Sequence, residues 1–305
     1  MAVITAKPNS DQLNADTAAA ARSLRQSRQI RKVLGLIPIY LLMVVIAALI
    51  VLPLVWMLST SFKPQSQWFT SGTIEWVPRT FTLENYQKLF NNPATPIGNW
   101  FFNSVFIALV STALVLTVDS LAAYAYARME FPGRKFLFGF MLMTLFLPGM
   151  MFLVPNFLTI ASLHLLNSWI GVVLPGIAGV FGVFFLRQFF ESIPLELEEA
   201  AAIDGANRFQ IFFMVVLPLA KPALATLGIL TFLGSWNDFL WPLLVLRDPH
   251  LQTLPPGLRT LQGAYSSQYG LMLAGAVIVA VPVLIIYIAL QRYIVQSVAS
   301  TGLKG

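Results

Sequence analysis

Leu36–Leu58 reads LIPIYLLMVVIAALIVLPLVWML, an apolar run without a single charged residue, and its length decides the fold class. A helix needs ~20 apolar residues to cross the hydrocarbon of a bilayer. Five further charge-poor runs follow: Phe101–Tyr126, Phe136–Val154, Trp169–Leu186, Ala223–Leu246 and Leu271–Leu290. Backbone groups cannot be left unpaired against lipid, so such runs form helices or closed barrels. Their apolarity is continuous rather than alternating, which excludes the barrel. The expected fold is an all-α membrane protein with six transmembrane helices. Composition agrees: 57% of the 305 residues are hydrophobic and 10% are charged, a profile foreign to soluble domains.

Charge placement sets the expected orientation. With the N-terminus in the cytoplasm, 14 of the 19 Lys and Arg residues face inward, among them Arg22, Arg31, Arg128, Arg134, Arg187 and Arg208. This positive-inside bias predicts six spans with both termini inside, N-in/C-in. Topology and anionic lipid headgroups thus explain the net charge of +6 without nucleic acid. Cysteine is absent, which excludes disulfides and thiol chemistry. His164 and His250 fall in separate outer connections, so no histidine metal cluster is expected. The first apolar run follows a polar tail and is too long for a signal-peptide core, so it reads as a retained span.

Residues 1–35 form the N-terminal tail, in which Thr17–Lys32 has the Ala, Leu and Arg content of a basic helix lying on the inner surface. Residues 36–295 are the six-span domain. Within it, residues 59–99 make a large outer loop, too aromatic for a linker and expected to pack over the bundle or against a partner. Pro148-Gly149 and Pro155 predict a kink or early exit in the third span. The apolar connection Asn156–Ser168 is expected in the outer interface. Gly171, Gly176, Gly179 and Gly182 in the fourth span allow close helix approach. Residues 187–222 form the longest inner loop, and residues 296–305 an inner C-terminal tail.

The inner loop carries the densest signal. Pro194 suits a first helical turn, and Glu196, Glu198 and Glu199 complement the positive end of a helix dipole. Ala200, Ala201 and Ala202 are strong helix formers with little bulk. Gly205 then supplies a left-handed stop. Beyond it, Phe209, Phe212, Phe213 and Val216 fall at i, i+3, i+4 and i+7, a stripe able to seat a second helix on the bundle. A helix–turn–helix bracket results, one arm anchored and the other acidic and presented to the cytosol.

At these residues the chain resembles a known family. Glu199-Ala200-Ala201, then Gly205, nine further residues and Val215-x-Leu217-Pro218 resemble the EAA loop of binding-protein-dependent ABC importer permeases. The family pattern has Ile where this chain has Val215. Ala122–Arg128 with Phe131–Arg134, Phe232–Pro242, and Gln291–Gln296 through Gly305 are similar to the carbohydrate, maltose-type branch, in its shorter six-span subunit. The resemblance implies a transport subunit rather than an enzyme. Glu199, Ala200, Ala201, Asp204, Gly205 and Ala206 would dock with a cytoplasmic ATPase, and Gly302 and Lys304 of the tail would add a second contact or else be disordered. The implied partners are a second homologous permease, two ATPase subunits, an extracytoplasmic sugar-binding protein and membrane lipid, in a bacterial plasma membrane. The chain has no G-x-x-x-x-G-K-[ST] phosphate loop, so ATP and Mg belong on the partner ATPase and no cofactor is expected here.

Asp119 and Asp238 are the ionisable groups inside the apolar runs, where an acid should face the bundle or a wet cavity. Trp236, Asn237 and Asp238 either line a polar solute route, with Trp236 stacking on a sugar ring, or make hydrogen bonds between helices. Asp119 has no assigned role. Two alternatives stay open: an ABC permease for a non-sugar solute, and an ion-coupled carrier using the two acids as relays.

Overall fold

The computed structural model describes the backbone of residues 10–67, 75–264 and 268–302, and the side chains of 36–67, 75–261 and 268–289. All regular structure among the described residues is helical. Among the described residues three helices are long and apolar enough to cross a membrane: Leu36–Ser61, Ile97–Arg128 and Tyr269–Ala289. Three bent helix pairs bring the number to six if each pair is one span.

The chain divides after Leu58 into two units. The first is most of helix α1 (Ser10–Ser61), which contains Pro38 and Pro53. Leu41, Val44, Leu49 and Val55 on it are exposed, as suits a helix solvated by lipid. Thr17–Lys32 is helical as expected, but it continues into the first span instead of forming a separate element. Its Ala, Leu, Gln and Arg residues are good helix formers that offer no break.

In the second unit, α2 (Glu84–Asn91) lies within the 59–99 loop and buries Leu89 beside Ile97 and Trp100. The described part of that loop therefore packs over the bundle. Helix α3 (Ile97–Arg128) is the central strut, packing on α7 and α11. Helices α4 (Arg134–Met143) and α5 (Leu153–Ser162) belong to a pair bent by 99°. The break is at Leu147-Pro148, where the residue before proline is held extended, at ψ 127. The expected kink is there, and the first part of the Asn156–Ser168 connection, through Ser162, is helix.

The fourth apolar run is split by 48° into Trp169–Gly176, which begins with α6 (Trp169–Val173), and α7 (Val180–Glu191). Then come α8 (Leu195–Ile203), α9 (Arg208–Ile211), a π-helical turn Phe212–Val216 and α10 (Leu217–Leu219). Helix α11 (Lys221–Trp236) follows at 78° to that arm. The fifth apolar run is not one helix, since Asn237–Phe239 separate α11 from α12 (Leu240–Val245). Helix α13 (Leu254–Ala264) and the long α14 (Tyr269–Gly302) complete the chain. Gly302 thus ends a helix, and Lys304 lies outside the described residues.

Two apolar clusters tie the ends of the unit. At the Arg128 end of α3, Tyr124 meets Leu186, Phe190, Phe212, Val216 and Leu227. At the Ile97 end, Trp100 and Trp236 meet Leu254, Leu261 and Leu271. The segment between α12 and α13 is stitched there. Trp100 Nε1 donates to Pro249 O at 2.6 Å, and Asn103 Nδ2 donates to His250 O and Gln252 O at 2.9 Å.

Candidate functional site

The bracket forms for reasons local to its sequence. Pro194 is the N-cap of α8, one residue earlier than expected, and Glu196 and Glu198 lie in the first turn. The helix ends in a Schellman motif: Ala206 N donates to Ala201 O at 3.0 Å and Gly205 N to Ala202 O at 3.1 Å. Gly205 carries φ +88, as the stop requires, and no atom lies within 4 Å of where its Cβ would stand. A substitution there meets backbone strain and nothing else. Asn207 then opens α9 with a capping box: its Oδ1 accepts from Gln210 N at 2.9 Å, and Gln210 Oε1 accepts from Asn207 N at 2.8 Å. The N-x-x-Q spacing carried that signal in the sequence.

The apolar stripe is only partly as expected. Phe212 and Val216 are buried, but Phe209 is 71% exposed and Phe213 is exposed too. The π-helical turn adds a residue to the winding there, so the face that seats on the bundle becomes Ile211, Phe212, Val216 and Ala220. Outward, the bracket presents Glu199, Ala200, Asp204 and Gly205, with Ala201 and Ala206 half-buried. It also presents Ile203, 87% exposed. The offered surface is therefore apolar with an acidic rim, not simply acidic.

Glu198, next to Glu199, turns the other way and is only 7% exposed. Its Oε1 accepts from Arg128 Nε at 2.6 Å, and its Oε2 lies 3.4 Å from the Tyr124 hydroxyl, which donates to it. Arg128 Nη2 also donates to Phe190 O at 2.8 Å and Ile193 O at 2.6 Å. One guanidinium thus joins α3, the last turn of α7 and the first turn of α8. Charge on this pair is nearly withdrawn from solvent, so its geometry is rigid but costly to break. Nothing in the spacing of residues 128 and 198 announced it.

Asp119 acquires a role. Fully enclosed at 0% exposure, it accepts the Gly179 N–H through Oδ1 at 2.9 Å, at the N-cap of α7. A Cβ on Gly182 would come within 1.9 Å of Asp119 Oδ2. The absence of side chains at Gly179 and Gly182 is what admits the carboxylate. The expected close approach in this run is therefore real at Gly182 and also at Gly171, but not at Gly176.

A cavity of about 360 Å³ lies between α3, α5, the α6 segment, α11 and α12. Its polar lining comprises Ser111, Asn156, Thr231, Ser235 and Asp238, with Trp241 beside them. Trp241 is held by its Nε1, which donates to Val172 O at 3.2 Å. The placement of the three expected route residues divides. Asp238 lines the cavity, whereas Asn237 points elsewhere, donating to Leu233 O at 2.8 Å. Trp236 is 1% exposed and packs on Phe101 and Phe232, with Nε1 donating to Val279 O at 3.3 Å. No face of Trp236 is left for a sugar ring; Trp241, one helical break later, is the aromatic surface that the cavity does expose.

Comparison with known proteins places these features in a family. Residues 120–300 match the binding-protein-dependent transport system inner membrane component. The chain is 41% identical to the arabinooligosaccharides transport system permease protein AraQ of Halalkalibacterium halodurans, over 85% of this chain and 93% of that protein. It is 38% identical to the sulfoquinovosyl glycerol transport system permease protein SmoH of Agrobacterium fabrum, over 83% and 88%. Among solved structures, a chain of a bacterial ABC transporter involved in import of the acidic polysaccharide alginate superposes with TM-score 0.76 at 26% identity, over 86% of this chain and 96% of that one. The family match over residues 120–300 and the identity to these permeases along most of the chain are decisive, and the chain belongs to the binding-protein-dependent transport system inner membrane component family, the permeases of ABC importers.

Proposed function

We propose that this chain is one permease subunit of an ATP-driven, binding-protein-dependent glycan importer in a bacterial plasma membrane. The bracket carries this reading. It is closed by a Schellman motif after α8 and a capping box before α9, clamped to α3 by Arg128 and Glu198, and still leaves Ile203, Phe209, Glu199 and Asp204 open. A rigid element with an unpartnered apolar surface fits a protein partner. Here the partner is an ATPase subunit, one of two, that binds and hydrolyses ATP with Mg. Gly302 and Lys304 add a second contact to it. A second, homologous permease completes the solute route, and an extracytoplasmic sugar-binding protein delivers the glycan. The cavity beside Asp238 and Trp241 is this subunit's share of that route. ATPase closure biases the two-state bundle through its differential affinity for the bracket in each state. The relatives' glycan substrates favour a sugar over other solutes. An ion-coupled carrier is less favoured, because Asp119 is engaged in holding α7.

Gly205→Val tests the proposal. The substitution strains the left-handed bend, while the added Cβ itself meets no neighbouring atom. The assembled importer should keep this subunit in the membrane at normal yield and lose ATP-driven glycan uptake. Unimpaired uptake would overturn the coupling role of the bracket.

A further inference from the structure

We infer that Asp238 makes the cavity a charge filter that favours neutral or cationic solutes and slows anionic ones, an inference that rests on the solute route proposed above. The relatives do not decide this, since they include transporters named for neutral arabinooligosaccharides and for acidic alginate. The lining does. Ser111, Asn156, Thr231 and Ser235 supply uncharged hydrogen-bonding groups, and Asp238 is the single ionisable side chain among the lining residues. No Lys, Arg or His stands there to offset it. Among the described residues Asp238 forms no salt bridge, and its Oδ1 receives the Trp241 N–H at 3.4 Å.

A carboxylate that receives a backbone amide on a cavity with largely apolar walls directs much of its field into that cavity. Val115, Val172, Val173 and Leu153 form such walls. A glycan's hydroxyl groups suit this lining. A uronate or sulfonate would enter it against an uncompensated negative charge, which is discrimination by repulsion rather than by added affinity. Asp238 is thus a specificity-determining residue, and Trp241 supplies the surface against which a neutral ring can lie.

The chain has no cysteine, so a thiol introduced into it is the only one on this subunit, and its modification is read on this subunit separated from its partners. Ser111→Cys in the complete importer, in membrane vesicles, is treated with a cationic trimethylammonium and an anionic sulfonate methanethiosulfonate reagent. Each rate is divided by the rate of the same reagent with a small free thiol. The corrected cation-to-anion ratio should be ~10 or more, and adding Asp238→Asn should bring it to within about threefold of unity. A ratio near unity, or one that Asp238→Asn leaves unchanged, overturns the filter while leaving the route intact. Failure of both reagents to react, with ATP or without it, overturns the route itself and the filter with it. Asn156→Cys, elsewhere on the lining, gives a second thiol should Ser111→Cys reduce the yield of assembled importer.

Discussion

At Arg128 one guanidinium meets a carboxylate and two carbonyl groups from separate turns of the chain. The side chains of the pair are 11% and 8% exposed, so removing one partner strands the other away from water. Glu198→Ala should therefore lower stability by ~3–5 kcal/mol. Arg128→Ala should cost more, because Phe190 O and Ile193 O also lose their donor. Glu199→Ala, at an exposed position, should leave stability unchanged. Thermal unfolding of the three purified variants in detergent separates them, and equal melting temperatures for the two glutamate variants would contradict the assignment. The sequence shows three glutamates near a helix start and suggests a common dipole role. Which of them folds inward depends on where α3 ends, information held 70 residues away in the chain.

Among the elements, the interrupted helices separate what composition can show from what it cannot. Six apolar runs were legible because lipid demands length and continuity. Their breaks were legible where proline forces them, as at Leu147-Pro148. The break between α6 and α7 was not, since it depends on a carboxylate from another helix taking the place of a backbone partner for Gly179. The two glycines that make room for it read only as generic sites of close approach. Gly182→Ala tests this packing: its methyl group would collide with Asp119 Oδ2, and α3 and α7 would have to separate. The variant should lose several degrees of thermal stability even though alanine is the better helix former. A more stable variant would contradict the described contact. The π-helical turn is the complementary case. Period-3.6 reasoning placed Phe209 and Phe213 on the bundle, and one extra residue in the winding turned them outward.

For the whole molecule, α3 connects the features that matter. Its Arg128 holds the bracket, its Asp119 holds the start of α7, and its Ser111 and Val115 line the cavity. A load applied at α8 therefore reaches the cavity wall along one packed helix, a physical connection rather than a demonstrated coupling. The site was half legible beforehand: the bend at Gly205 and the exposed Glu199 and Asp204 follow from local chemistry. The exposed Ile203, the burial of Trp236 and the place of Trp241 on the cavity wall follow from tertiary packing. Cross-linking from Ile203→Cys, the sole thiol of the variant chain, asks whether the bracket docks on the ATPase. In membranes containing the complete importer, an adduct to the ATPase subunit should form, with a yield that changes when ATP is added. No adduct to the ATPase from position 203, in assemblies that still hydrolyse ATP and take up glycan, would contradict it.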